Sequence, residues 1–157
     1  MAPSARLTTA QRYIANFGTL DPQTLAPLLA ENYHHEFAPA SLNPPGPFDK
    51  QGMLEHNARL RDIMSGFPVT AKEYVESESS NQVTVWATSQ TVFRDEVKDK
   101  GVAEKEWEYQ GEYVFMLWME EGGERIERVV EFLDSKGTER LMGLMRRARG
   151  NREGQGI

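Results

Sequence analysis

Apolar and aromatic side chains recur at every second position from Trp107 to Asp134, in the stretch WEYQGEYVFMLWMEEGGERIERVVEFLD. A period of two places Trp107, Tyr109, Gly111, Tyr113, Phe115 and Leu117 on one face of a strand. It places Val129, Glu131 and Leu133 on one face of the next. Between them, Gly122 and Gly123 supply the positive φ that a two-residue hairpin turn requires. The same alternation predicts a short strand at 33–37 (YHHEF) and long strands at 69–76 and 83–93, the latter rich in valine and threonine.

Helical spacing governs the remainder. Residues 7–17 read as a helix with Thr8 or Thr9 as cap and Gly18 as stop. Asp21 as N-cap and Pro22 open a second helix, whose stripe is Leu25, Leu28 and Leu29. A third covers 50–64, with Met53, His56, Leu60, Ile63 and Met64 on one face. A last helix covers 135–148, its apolar side formed by Leu141, Met142, Leu144 and Met145. The proline-rich SLNPPGPFDK is a stiff loop, 95–101 a charged one, and 151–157 a polar tail expected to be disordered.

The predicted order is helix, helix, short strand, helix, four long strands and a closing helix. Helices segregated from a meandering antiparallel sheet define the α+β class. A strongly curved sheet wrapped on its helices makes a cone with an apolar interior, expected as one domain over residues 1–150. The net charge of −6 argues against nucleic acid or an anionic membrane as partner. Cysteine is absent, which excludes disulfides, thiolate catalysis and cysteine-built zinc sites. No secretory signal or membrane-length apolar run is read, so a cytoplasmic protein is expected. No phosphate-cradling loop, nucleophile elbow or metal-ligand spacing occurs, so no cofactor or metal is expected.

If the two central faces point inward, two phenols and one carboxyl share an apolar enclosure. Burial there disfavours the charged form of Glu131, and a phenol removed from water seeks a partner. Gly111, between Tyr109 and Tyr113 on their face, leaves space that a side chain would fill. A satisfied core reads the same way at this level. His56 lies on the apolar face of the third helix, and His35 shares a strand face with Tyr33 and Phe37. Trp86 and Trp118, with Val114 and Met116, fall on the opposite faces and predict a second packing surface, for which a two-fold homodimer is expected. The run Glu104, Glu106, Glu108 reads as a solvated face, and Arg146, Arg147 and Arg149 as stabilisers of a helix C-terminus.

The stretches YHHEFAPASLNPP, FPVTAKEYVE, QVTVWATSQTVFRDEV and EWEYQGEYVFML followed by VVEFLDSKGTERL carry a resemblance. Together with the element order over residues 7–148, the chain resembles the SnoaL-like branch of the nuclear-transport-factor-like cone. It looks most similar to fungal natural-product isomerases and cyclases of the brevianamide-type semipinacolase kind. That resemblance implies a cofactor-free isomerase of fungal secondary metabolism. Its reaction would be a stereoselective semipinacol rearrangement of a 3-hydroxyindolenine indole alkaloid. A meroterpenoid isomerase, a polyketide cyclase and a non-catalytic binding module are the alternatives. Tyr109, Tyr113 and Glu131 match the family's catalytic positions. The fourth, an arginine on the first strand, is met by Ala38, which leaves a carbonyl- or anion-binding role unfilled. Ala38, His35, His56, Trp107 and Phe115 are the residues expected around a small apolar substrate.

Overall fold

The computed structural model describes residues 2–154. The chain begins with α1 (Ala5–Asn16), α2 (Pro22–Leu25), β1 (Leu29–Ala38), β2 (Phe48–Asp49) and α3 (Lys50–Arg61). It continues through β3 (Met64–Gly66), β4 (Val69–Ser77), β5 (Gln82–Gln90) and β6 (Val92–Phe93). It ends with β7 (Gln110–Met119), β8 (Ile126–Leu133) and α4 (Ser135–Gly154). Six strands form one sheet in the order β2-β1-β8-β7-β5-β4, and β3 pairs with β6 beside it. Register shifts in β1/β8, β4/β5 and β7/β8 add local bend and twist, which curl the sheet around the helices. Tyr13 and Ile14 of α1, with its C-cap Phe17, pack there with Val83, Val85, Phe115, Leu117 and Val129. The α+β cone is therefore the fold of this chain.

The sheet is mixed where an antiparallel one was predicted, because β1 runs parallel to β8. The alternation that finds strands is blind to direction. Only the intervening chain, too long for a hairpin, permits the parallel pair.

Several boundaries also differ from the sequence reading. Ser4, not a threonine, caps α1, its Oγ accepting from the Leu7 amide at 3.0 Å. β1 starts at Leu29, so the last leucine of the predicted second helix already lies in the sheet. α3 stops at Arg61, and Met64 opens β3. The predicted strand 83–93 breaks at Thr91 into β5 and β6, which join different sheets. The glycine turn is wider than two residues. The Glu120 amide donates to the Arg125 carbonyl at 2.9 Å, enclosing four residues in which Gly122 and Gly123 have φ of 94° and 76°. Gly123 is required twice over, since a Cβ there would meet Arg6 Cγ at 2.9 Å.

Trp107 ends a 3₁₀ turn (Glu104–Trp107) rather than lying in the hairpin strand. α4 runs to Gly154, through residues expected to be a frayed tail; 155–157 lie outside the described residues. Side-chain contacts hold it. Asn151 Nδ2 donates to the Val97 carbonyl at 2.9 Å and to Asp99 Oδ1 at 2.8 Å. Arg147 pairs with Asp99 and lies over the Trp107 ring, 4.8 Å from its centroid. Arg140 donates to the carbonyls of Glu106 and Glu108. These arginines staple the helix to the 95–108 segment, which is a more specific task than complementing a helix end.

Candidate active site

Alternation along β7 and β8 carries two predicted site residues to the inner face. Glu131 pairs in register with Phe37 of β1 and Phe115 of β7 and is 6% exposed. Tyr113 is its diagonal neighbour across the β7/β8 pair, a spacing of about 7–8 Å between backbones. Both line a cavity of about 120 Å³. Its other walls come from Phe17, Leu20, Phe37 and Phe67, from Met53, His56, Asn57 and Leu60 of α3, and from Thr138, Leu141, Met142 and Met145 of α4. The stiff loop contributes Pro44 and Pro45. Apart from Tyr113, Glu131, His56, Asn57 and Thr138, the lining is apolar.

The two phenols meet as the sequence spacing implied. Their hydroxyls lie 3.3 Å apart, and Ser89 Oγ on β5 donates to the Tyr113 oxygen at 2.9 Å. Both rings fold back over Gly111, where an added Cβ would collide with both oxygens. Burial pushes both phenols up, and Tyr109 adds to the effect at Tyr113, while Ser89 draws that hydroxyl partly back. Each therefore keeps its proton near neutrality. Only Tyr113 reaches the cavity; Tyr109 stands behind it, close to Thr138 and Asp134.

Behind Glu131 stands His35, which is fully buried and does not line the cavity. Its Nε2 lies 3.2 Å from Glu131 Oε1, off the line of a formed hydrogen bond, and its Nδ1 lies 2.6 Å from the Tyr33 hydroxyl. Tyr13 is the next polar group, close to Tyr33 but without a partner in hydrogen-bond geometry. His56, by contrast, lines the cavity. It stacks on Phe48 with centroids 5.1 Å apart and packs on Phe37 at 5.8 Å. Burial, with His35, Arg59 and Arg149 nearby, lowers it to about 4, so its imidazole is neutral at pH 7.

Besides His35, three more expected substrate contacts fall elsewhere. Phe115 is core, packed on Phe17 and Tyr13 with centroids 5.5 and 6.3 Å away. Trp107 packs on Phe93 beyond the cavity. Ala38 pairs with the exposed Phe132, one residue out of phase with the inward Phe37–Glu131 pair. Parity thus turns position 38 away from the cavity. Three polar groups were missed. Asn57 and Thr138 line the cavity, each with a side-chain oxygen that has no hydrogen-bond partner among the described residues. Asn57 lies four residues after Met53, within the helical stripe, and Ser89 continues the inward alternation of Val83, Val85 and Ala87. Those spacings were the available signal.

A curved sheet packed on helices around a mostly apolar cavity, with a few polar groups in its wall, is the SnoaL/ketosteroid-isomerase-like fold. No family model and no curated protein matches the chain. Solved structures do. BvnE pinacolase from Penicillium brevicompactum is 18% identical, with 89% of this chain and 90% of that one covered and a TM-score of 0.75. AusH from Aspergillus nidulans is 22% identical over 85% of this chain and 88% of that one, at 0.70. PrhC from Penicillium brasilianum is 16% identical over 96% and 97%, at 0.75. At these identities the likeness is one of fold.

Proposed function

We propose that the protein is a cofactor-free isomerase that acts on a bulky, apolar natural product by proton transfer through Glu131 and Tyr113. One observation carries this reading. A buried carboxyl and a buried phenol stand in the wall of one apolar cavity, with an unpartnered amide oxygen on Asn57 beside them. A carrier needs only the apolar walls, whereas catalysis needs polar groups convergent on one ligand position.

In its sharp form the reaction is a semipinacol rearrangement of a 3-hydroxyindolenine supplied by a separate oxygenase. The imine nitrogen gains a proton, the carbinol oxygen loses one, and a carbon migrates between adjacent centres. The fold shared with BvnE pinacolase supports this choice. The cavity walls fix the migrating conformer and with it the stereochemistry. At about 120 Å³ the cavity is below the roughly 300–1,000 Å³ of common ligand sites, so a bulky substrate either displaces part of the wall or projects from the open side. Met142 and Met145, unbranched and adaptable, are the side chains suited to yield.

The test is a product-distribution assay on the 3-hydroxyindolenine of a prenylated tryptophan–proline diketopiperazine, with spiro products resolved by chiral chromatography. The protein should enrich one diastereomer, and Tyr113→Phe should return the mixture toward the spontaneous ratio while keeping its melting temperature. A spontaneous ratio with the unaltered protein would rule out this substrate. A second reading pairs His56 with Glu131 in a meroterpenoid isomerase or polyketide cyclase. The neutral imidazole on the same cavity favours it. Loss of turnover in His56→Ala but not in Tyr113→Phe would select that reading.

A further inference from the structure

Resting on that reading, we infer the direction of proton flow: Glu131 accepts the substrate's proton and Tyr113 donates one, with His35 and Ser89 as positioning residues that set these roles from behind.

Neither positioning residue lines this cavity, and both are buried; Ser89 borders a separate polar pocket beside Gly111 and Asp134, and reaches the proposed site through the Tyr113 hydroxyl. Ser89 donates to the Tyr113 oxygen. A phenol oxygen that already accepts a hydrogen bond has its own proton free for another acceptor. It also carries a donor in place to stabilise the phenolate left behind.

On the other side, the Tyr33 hydroxyl lies 2.6 Å from His35 Nδ1. A phenol proton donated there leaves the imidazole proton on Nε2, and Nε2 faces Glu131 Oε1 at 3.2 Å with no other partner among the described residues. A small turn of the carboxyl brings that contact into line. Glu131 then accepts from behind with Oε1 and keeps Oε2 for the substrate. In that tautomer a donor stands behind each group and favours the anion there, so the phenol, which starts neutral, gives its proton and the carboxylate receives one.

The step balances. The carbinol O–H proton passes to Glu131, and its electron pair forms the new carbonyl. The C–C bonding pair shifts to the adjacent imine carbon. The C=N π pair moves to nitrogen, which takes the Tyr113 proton. Return of the proton from Glu131 to the phenolate restores both groups, and the substrate has been isomerised without net change.

Histidine-selective ¹⁵N NMR tests the His35 half without substrate, and the chain's three histidines keep assignment simple. A protonated Nε2 and a bare Nδ1 are expected at His35. The reverse tautomer would make Glu131 the donor and overturn the inference.

The Tyr113 half is tested by replacing that tyrosine with a fluorinated tyrosine of more acidic phenol, beside an unaltered control. Tyr109, Glu131, Asp134 and His56 are the other titratable groups around it, and their limbs cancel in the comparison. Turnover should fall as pH rises through the fluorophenol ionisation, whereas a rise there would make the phenol a base. Ser89→Ala should lower kcat about tenfold with KM unchanged, and Ser89→Thr should recover it. An unaffected Ser89→Ala would remove Ser89 from the scheme. Failure of the proposed substrate appears separately, as a spontaneous product ratio with a normal His35 tautomer.

Discussion

At Gly111 a single missing side chain decides where two phenols can lie. A Cβ there collides with both hydroxyl oxygens, and rigid rings cannot yield as a flexible chain end can. Gly111→Ala is expected to destabilise the protein by about 1–3 kcal/mol in urea unfolding and to degrade product selectivity together with it. His56 offers a second prediction at this scale. Its folded value lies near 4, below the ordinary 6.5, so the unfolded chain binds more protons between those values. Stability from keeping it neutral is complete above about 6.5 and is lost as pH falls toward 4. His56→Phe, which keeps the stacking on Phe48 and Phe37, should narrow the difference between melting temperatures at pH 7.5 and pH 4.5. The inward position of Glu131 was legible in the sequence, because parity along β8 follows from its apolar neighbours. Its partnership with His35 was not. That contact depends on the register between β1 and β8, which lie at opposite ends of the chain. Ala38 shows the same limit: its residue type was visible, but the face it occupies depends on one step of register.

Among the elements, period-two stretches were read well and their ends less well. β7 and β8 lie where alternation placed them, but the strand predicted at 83–93 hid a change of sheet. Valine and threonine favour extended backbone without specifying a partner, so the break at Thr91 left no mark in composition. α4 was underestimated because its last turns have no apolar stripe. They are held by polar contacts to a loop some fifty residues earlier. Asn151→Ala removes two of these hydrogen bonds and should cost about 1–2 kcal/mol. Hydrogen exchange should then rise in the final turns of α4 while the amides of β7 keep their protection.

Over the whole molecule, the segregation of helices from strands was enough to read the α+β class, and the cone followed from the resemblance carried by particular stretches. The outer face of its sheet carries Trp86, Val114 and Phe132 in register across β5, β7 and β8, with Trp86 41% and Phe132 48% exposed. Beside this row, Lys72 lies over Trp86 and Arg128 over Trp118, while Glu112 accepts from the Trp86 indole. Apolar residues with both charge signs around them suit contact with a second copy of the same face, and a two-fold dimer is the proposed state. Light scattering after size exclusion should give twice the monomer mass, and Phe132→Glu should halve it with circular dichroism unchanged. A monomeric unaltered protein would reject that assembly. The parallel pairing of β1 with β8 has a further consequence, for how the chain reaches this state. Strand β1 is made well before its neighbour β8, so the contact has high sequence separation and cannot form until β8 has been made. His35 and Glu131 sit on those two strands. The proposed acid–base centre therefore assembles only when β8 docks beside β1, and a chain halted before β8 lacks Glu131 altogether.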